Sequence, residues 1–174
     1  MNSNFVRPVV IDEPLAWDKS TTITSKTDAF GTIDYVNEGF VEVSGYQDNE
    51  LVGQPHNIIR HPDMPKIIFK VLWDNLKKGT NFKAIVKNLS KSGKYYWVFA
   101  TFRVVLKENG TIDYVYSTRK SVDDLVINTY ISPLYAILLE AEKKEGIEAS
   151  EQVLNNFLNA KNQTYLEFIE NILS

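Results

Sequence analysis

Gln54-Pro55-His56-Asn57-Ile58-Ile59-Arg60-His61-Pro62-Asp63-Met64-Pro65 gathers both histidines of the chain, an arginine, an aspartate and two amide side chains into twelve residues, with three prolines between them. No other segment packs as many ligand-capable groups into so little length. Directly after it, Ile67, Ile68, Phe69, Val71, Leu72, Trp73 and Leu76 recur at helical spacing and predict a helix over Met64–Lys78. Asp63 is placed to cap that helix, and Pro65 falls in its first turn, where a missing N–H costs nothing. Lys77-Lys78 carries the charge that suits a helix C-terminus, and Gly79 ends it. The apolar coverage exceeds one narrow stripe, so the helix should be largely enclosed.

Working toward the N-terminus, the residues from Thr22 to Thr27 read as a strand, Asp28–Gly31 as a turn and Thr32–Val36 as a second strand. Asn37 is a cap for a short helix over Phe40, Val41 and Val43 that ends at Gly45. A second short helix, Gln47–Val52, stops at Gly53. Residues 1–20, with Pro8, Pro14 and an isolated Trp17, read as an arm or short helix anchored by Trp17, or as a frayed terminus in the first ten residues.

Toward the C-terminus three strands follow, Phe82–Leu89, Lys94–Leu106 and Thr111–Arg119. Ser90–Gly93 makes the first turn and Asn109-Gly110 a strong hairpin signal at the second. In the middle strand Tyr96, Val98, Ala100 and Phe102 share one face and Tyr95, Trp97, Phe99 and Thr101 the other. Both faces carry aromatics, so both should be covered. From Ser121 to Ser174 the period turns helical, broken at Pro133 and Gly146, with Ser150 capping a last helix.

Composition narrows the function. At 174 residues the chain is one domain with an extension, and its 44% apolar and 24% charged residues are ordinary for a soluble globular protein. Net charge is −3, and Lys83, Lys87, Lys91 and Lys94 are spread over a hairpin rather than massed, so nucleic acid is not an expected partner. The absence of cysteine excludes disulfides, zinc–thiolate sites and thiolate nucleophiles. No signal pattern or run of ~20 apolar residues is present, which leads us to expect a cytoplasmic protein.

The order of elements matches that of PAS domains. Asp28–Phe40, Ser44-Gly45-Tyr46 and Glu50-Leu51-Val52-Gly53 resemble the general PAS signature. Gly53–Lys66 is narrower, as are Phe69, Leu72-Trp73, Lys77-Lys78-Gly79, Ile85-Val86-Lys87-Asn88, Lys91-Ser92-Gly93 and Tyr96-Trp97-Val98. Together, over roughly residues 20–120, they resemble the Aer subfamily, the PAS sensors of bacterial energy taxis and aerotaxis. Aer proteins continue into a membrane anchor, a HAMP domain and a signalling coiled coil. Because none of these follows here, the chain is more similar to the CetB-like soluble PAS proteins, whose partner supplies those parts. The expected fold is α+β: a PAS fold with a five-stranded antiparallel sheet and short helices on one face (residues 21–120), an N-terminal arm (1–20) and a C-terminal helical extension (121–174).

Aer-type PAS domains hold FAD without a covalent bond. Their cofactor positions match Asn37, Arg60, His61, Asp63, Trp73 and Asn88 of this sequence, and His56 stands beside them. A flat flavin needs apolar or aromatic walls and partners for a polar edge that changes on reduction. Asn88 offers an amide that both donates and accepts, Trp73 an aromatic wall, and Arg60 with the helix N-terminus a diphosphate site. Each residue also has a bland explanation: Asp63 and Asn37 as caps, Trp73 as core filler, His-Pro as a turn. Capping does not require Arg60, His61 and His56 alongside, so the set points to a cofactor site. Phe82 departs from the family where a tryptophan is common.

The light-driven cysteinyl adduct of some flavin PAS domains is excluded by the lack of cysteine. Haem ligation through His56 or His61 stays open, as does a cofactor-free interaction module. No kinase, cyclase or hydrolase motif is present, so an enzyme is not expected. The resemblance implies a FAD-binding redox sensor that reports energy or oxygen status to a membrane chemoreceptor subunit with HAMP and signalling domains. On that expectation it sits at the inner membrane through its partner, with a homodimer possible and no membrane insertion of its own.

Overall fold

The computed structural model describes residues 5–174, so the first four residues of the expected arm lie outside the described residues. Five strands form one antiparallel sheet: β1 (Ile23–Asp28), β2 (Ile33–Val36), β3 (Phe82–Leu89), β4 (Tyr95–Leu106) and β5 (Ile112–Ser121). Their order is β2-β1-β5-β4-β3, so the first strand closes against the last and β3 is left at an edge. Period-two alternation builds the inner face. Tyr96, Val98, Ala100 and Phe102 of β4 are all buried, while the residues between them face outward and are half-buried. Asn109-Gly110 makes the expected β4–β5 turn, with Gly110 at φ 82°.

Short helices line the inner face. Asn37 caps α1 (Glu38–Ser44) by accepting from Phe40 N, as expected. α2 (Asp48–Leu51) follows Gln47 in a capping box with Glu50. A 3-10 turn (His56–Ile59) then leads to α3 (Lys66–Lys77), whose Ile67, Ile68, Leu72 and Leu76 are buried.

Asp63 does not cap α3. Pro65 occupies the cap position in an extended conformation, and helix begins only at Lys66. The Asp63 carboxylate is held 3.1 Å from Lys87 Nζ instead. The N-terminus of α3 takes its acceptor from far along the chain, where Glu142 Oε1 receives the Ile67 N–H at 2.8 Å.

The C-terminal segment also departs from expectation. β5 extends to Ser121, and α4 (Asp124–Val126) runs through a π turn (Ile127–Ile131) into α5 (Ser132–Glu145) without a break. Pro133 is tolerated because the wider turn just before it relieves the clash between its ring and the preceding carbonyls. Gly146, at φ 91°, does separate α5 from α6 (Ile147–Ala160). Ser150 lies inside α6 with a buried, unpartnered hydroxyl and caps nothing. Thr164 caps α7 (Tyr165–Leu173) in a capping box with Glu167.

The tail covers the β3 side of the sheet, where an open edge would invite further pairing. Tyr135 donates to the Ile85 carbonyl at 2.7 Å, and Tyr165 stacks on Phe82 with ring centres 5.6 Å apart. The arm covers the start of β4: Leu15 N donates to Tyr95 O at 2.7 Å, and Trp17 meets Tyr96 edge-on at 6.2 Å.

Candidate functional site

The turn around Arg60 is stitched to the free edge of β3. Arg60 bridges Asn88 through the backbone, and His61 N donates to Lys87 O at 3.3 Å. The next step is set by side-chain direction. Along β3, Val86 and Asn88 point to the inner face, while Lys87 between them points out. The bridge therefore places Arg60 and Asn88 on one cavity wall and sends His61 and Asp63 toward Lys87, on the other side.

That cavity, of about 170 Å³, lies between the inner face of the sheet, α3 and the turns at Asp28–Gly31 and Pro55–Arg60. Phe69, Leu72, Trp73 and Leu76 make the α3 wall. Trp73 packs over the β1–β2 turn, where a side chain at Gly31 would approach its ring to 3.3 Å. Phe30, 89% exposed, stands at the rim. The cavity is smaller than the ~300–1,000 Å³ usual for small-molecule sites, so a large ligand must also use its mouth.

Its electrostatics are one-sided. Arg60 and Arg119 both line it, and no carboxylate does. Arg119, 3% exposed, donates to Ser25 Oγ at 3.0 Å and to His56 Nε2 at 2.9 Å. Both partners are neutral. An arginine has only donors, so His56 Nε2 must be an acceptor and the ring uncharged. Burial, and secondarily the Arg119 charge, hold the His56 pKa well below the ordinary value. Burial also draws Arg119 down to about 10. The guanidinium of Arg60 lies over the Phe69 ring at 3.8 Å, and its pKa is lowered by burial and by nearby Arg7. Arg7, on the arm, donates to the carbonyls of Arg60 and Asn57 at 3.0 and 2.9 Å.

Among the described residues six buried side-chain atoms have no partner, and the donors Arg60 Nε and Asn88 Nδ2 are two of them. Buried polar atoms are rarely left so. Both belong to residues of the cavity wall, as expected for groups that wait on a ligand.

Of the seven residues singled out from sequence, His56, Arg60, Trp73 and Asn88 line the cavity. Asn37, His61 and Asp63 do not. The Asn37 amide is consumed by the frame: its oxygen accepts from Thr24 N and Phe40 N, and its nitrogen donates to Thr22 O. His61 Nδ1 accepts from Asp63 N at 3.0 Å, its ring meets Tyr95 edge-on at 6.2 Å, and burial lowers its pKa. Asp63 pairs with Lys87. Asn37 braces β1 against α1, while His61 and Asp63 hold the loop that carries Arg60. Arg119 was not foreseen. The alternation Val115-Ser117-Arg119 along β5 puts it on the inner face and was the available signal.

Comparison with known proteins agrees with this architecture. The family model described as the PAS fold matches residues 33–119. The aerotaxis receptor of Escherichia coli (strain K12) is 43% identical over 125 residues, covering 72% of this chain and 24% of the receptor. The biofilm dispersion protein BdlA of Pseudomonas aeruginosa is 26% identical over 100 residues, 57% of this chain and 24% of that protein. The chain thus spans about a quarter of the length of these relatives. Among solved structures, the light state of the Aureochrome1 LOV domain superposes with a TM-score of 0.54 at 20% identity, covering 71% of this chain and 92% of that one. A PAS domain from Colwellia psychrerythraea gives 0.55 at 20% identity, covering 62% and 91%. At such identities the likeness concerns the fold alone. Among the described residues no helix is long and apolar enough to cross a membrane, and no cluster of side chains is suited to a metal ion.

Proposed function

Because this chain belongs to the PAS family, as a sensor of the Aer type, we propose that it holds FAD non-covalently and reports cellular redox state to a membrane chemoreceptor subunit carrying HAMP and signalling domains. The observation that carries the FAD assignment is the cavity: an aromatic wall, two guanidinium groups, no carboxylate, and two buried donors without partners. This is the donor set for a flat, electron-poor ring with a polar edge and an anionic diphosphate. FAD supplies reversible electron uptake, which no side chain here provides.

Each residue then has a part. Asn88 presents its amide to the ring edge, and Phe69, Leu72 and Trp73 exclude water from the ring face. Arg60, at the mouth beside Asn57, holds the diphosphate. Asn37, His61 and Asp63 fix the frame and the loop rather than touching the cofactor. Haem is disfavoured because His56 Nε2 is already engaged by Arg119 and Ser25, and His61 lies outside the cavity. Output passes through the elements that touch the cavity wall, above all α3, whose first turn is bonded to Glu142 in the tail. The tail and arm are the surfaces offered to the receptor partner. We read the chain as a sensor and not as an enzyme.

The absorption spectrum of the purified protein tests this. A two-banded yellow chromophore, bleached by dithionite and released on denaturation as about one FAD per chain, is the expected result. Colourless protein that cannot be reconstituted with FAD would overturn the proposal, and a Soret band would replace FAD with haem.

A further inference from the structure

The helical run after the sheet carries an apolar row that its packing does not use. α4, the π turn and α5 together span Asp124–Glu145. One side of this run is core, with Ile127, Ile131, Leu134, Tyr135 and Leu138 buried. The other side faces solvent, and there Leu125 is 73% exposed, Tyr130 47% and Ile137 54%. A surface helix normally makes such positions polar. Tyr130, Ile137 and Lys144 recur at seven-residue spacing, about two turns, and so share one line along the helix. A π turn closes over five residues rather than four, which brings Leu125 into that line ahead of Tyr130. Beside it runs a second exposed line with the same spacing: Asp124, Thr129, Ala136 and Lys143.

Both lines complement themselves when reversed. Tyr130 and Ile137 stand at equal distances from one point on the helix, and so do Asp124 and Lys143. A second copy turned by half a revolution about that point sets Tyr130 on the partner's Ile137 and Asp124 against the partner's Lys143, each contact occurring twice. The small Thr129 and Ala136 between them leave room for the helices to approach. Neither Asp124 nor Lys143 is in an ion pair among the described residues. A two-fold interface requires a patch that matches its own reversal. Opposite charges at the two ends of one apolar row therefore favour a second copy of this chain over an unrelated helix.

We propose that the outer face of α4 and α5 is a homodimer interface, in which two copies pair antiparallel across the Tyr130–Ile137 row. The contact runs roughly 28 Å from Asp124 to Lys143 at helical rise, and it is one helix wide. An interface so small gives a reversible dimer. Each α5 also carries Glu142, which accepts from Ile67 at the start of α3. Pairing thus joins the α3 walls of two cavities through two helices, and it leaves α6, α7 and the arm to the receptor partner.

Sedimentation velocity of the purified full chain, from about 1 to about 200 µM, spans the range in which a small interface associates. The wild type should pass from monomer toward dimer over this range, and less so in about 1 M salt. Ile137→Asp should raise the dimer dissociation constant about tenfold or more. Asp124→Lys and Lys143→Glu should each raise it about threefold by setting like charges together. Combined in one chain, those two changes should return it to near the wild-type value. All three positions are exposed, so circular dichroism should be unchanged; if Ile137→Asp does not fold, the charge variants decide.

A wild type that stays monomeric throughout overturns the proposal, and binding of a receptor fragment to this face in its place would assign the row to the receptor. A dimer indifferent to Ile137→Asp also overturns it, because the contact then lies elsewhere. A double charge variant that dimerises no better than the single ones overturns the antiparallel pairing. Flavin content enters none of these readings, so failure here is distinct from failure of the absorbance test.

Discussion

Arg60 shows how much a single position does in this molecule. Its backbone pairs with Asn88, its carbonyl takes a hydrogen bond from Arg7, its guanidinium stacks on Phe69, and its Nε is left open. Removing the side chain deletes a charge from the mouth of the cavity but leaves the backbone bridge intact. Arg60→Ala is therefore expected to lower FAD occupancy at least tenfold with little loss of folding stability, checked by flavin absorbance per chain and by circular dichroism. Trp73→Ala should do the same by opening the α3 wall to water. Full occupancy in both variants would show that these residues do not bind the cofactor. Asp63→Asn acts differently, since it breaks the pair with Lys87 and loosens the loop from the outside. We expect a smaller loss of FAD there, with Asp63→Glu staying close to the native protein because it keeps a carboxylate for Lys87.

At the scale of elements, α3 and the tail are one unit. The amide at the start of α3 is satisfied by Glu142, seventy-five residues away. Glu142→Ala should cost about 1 kcal/mol, the usual worth of an N-terminal cap, read as a lower urea midpoint at unchanged slope. Leu138, in the middle of α5, is fully buried. Leu138→Ala is expected to cost about 2–5 kcal/mol, as core leucine truncations do. A cost under 1 kcal/mol would mean the tail is a detachable appendage. These contacts explain why about fifty residues of helix follow a sheet that is already complete: they bury the outer side of β3 and finish α3.

Across the whole molecule, two histidines, His61 buried and His56 half-buried against Arg119, shape the response to acid. Both have pKa values lowered by burial, His56 strongly. The unfolded chain binds protons at these sites near pH 6.5 while the folded chain does not, so stability rises with pH through that window. The stabilisation is present in full above about pH 6.5 and is lost as pH falls toward the folded values. His56 alone contributes a slope of up to about 1.4 kcal/mol per pH unit. Urea unfolding at pH 7.5, 6.5 and 5.5 should show a loss over this range that is reduced in His56→Gln. Glu50, Glu140 and Glu167, whose pKa values are lowered by hydrogen bonds, contribute stability that is lost only at lower pH. A flat profile from pH 7.5 to 5.5 would contradict the neutral state of His56 beside Arg119.

The sequence by itself determined what depends on near neighbours in the chain. The strand alternation of β3, β4 and β5, the Asn109-Gly110 turn, the Asn37 cap and the apolar stripe of α3 are all local patterns, and each folds as its pattern dictates. Those patterns with the Gly53–Lys66 motif were sufficient for the family. Competition between distant groups was decided only in the tertiary structure. Asp63 had a helix to cap, but Lys87 from β3 draws its carboxylate away and Glu142 caps in its place. Ser150 resembled a cap and is buried within a helix, because Gly146 had already ended the one before. His56 and His61 lie five residues apart, yet the bridge to β3 sends one into the cavity and the other away from it. The alternation of β5 puts Arg119 on the inner face, but its importance comes from what surrounds it in space, a cavity wall with no negative charge. A residue's partners across the sheet are set by register, and register is a property of the assembled fold.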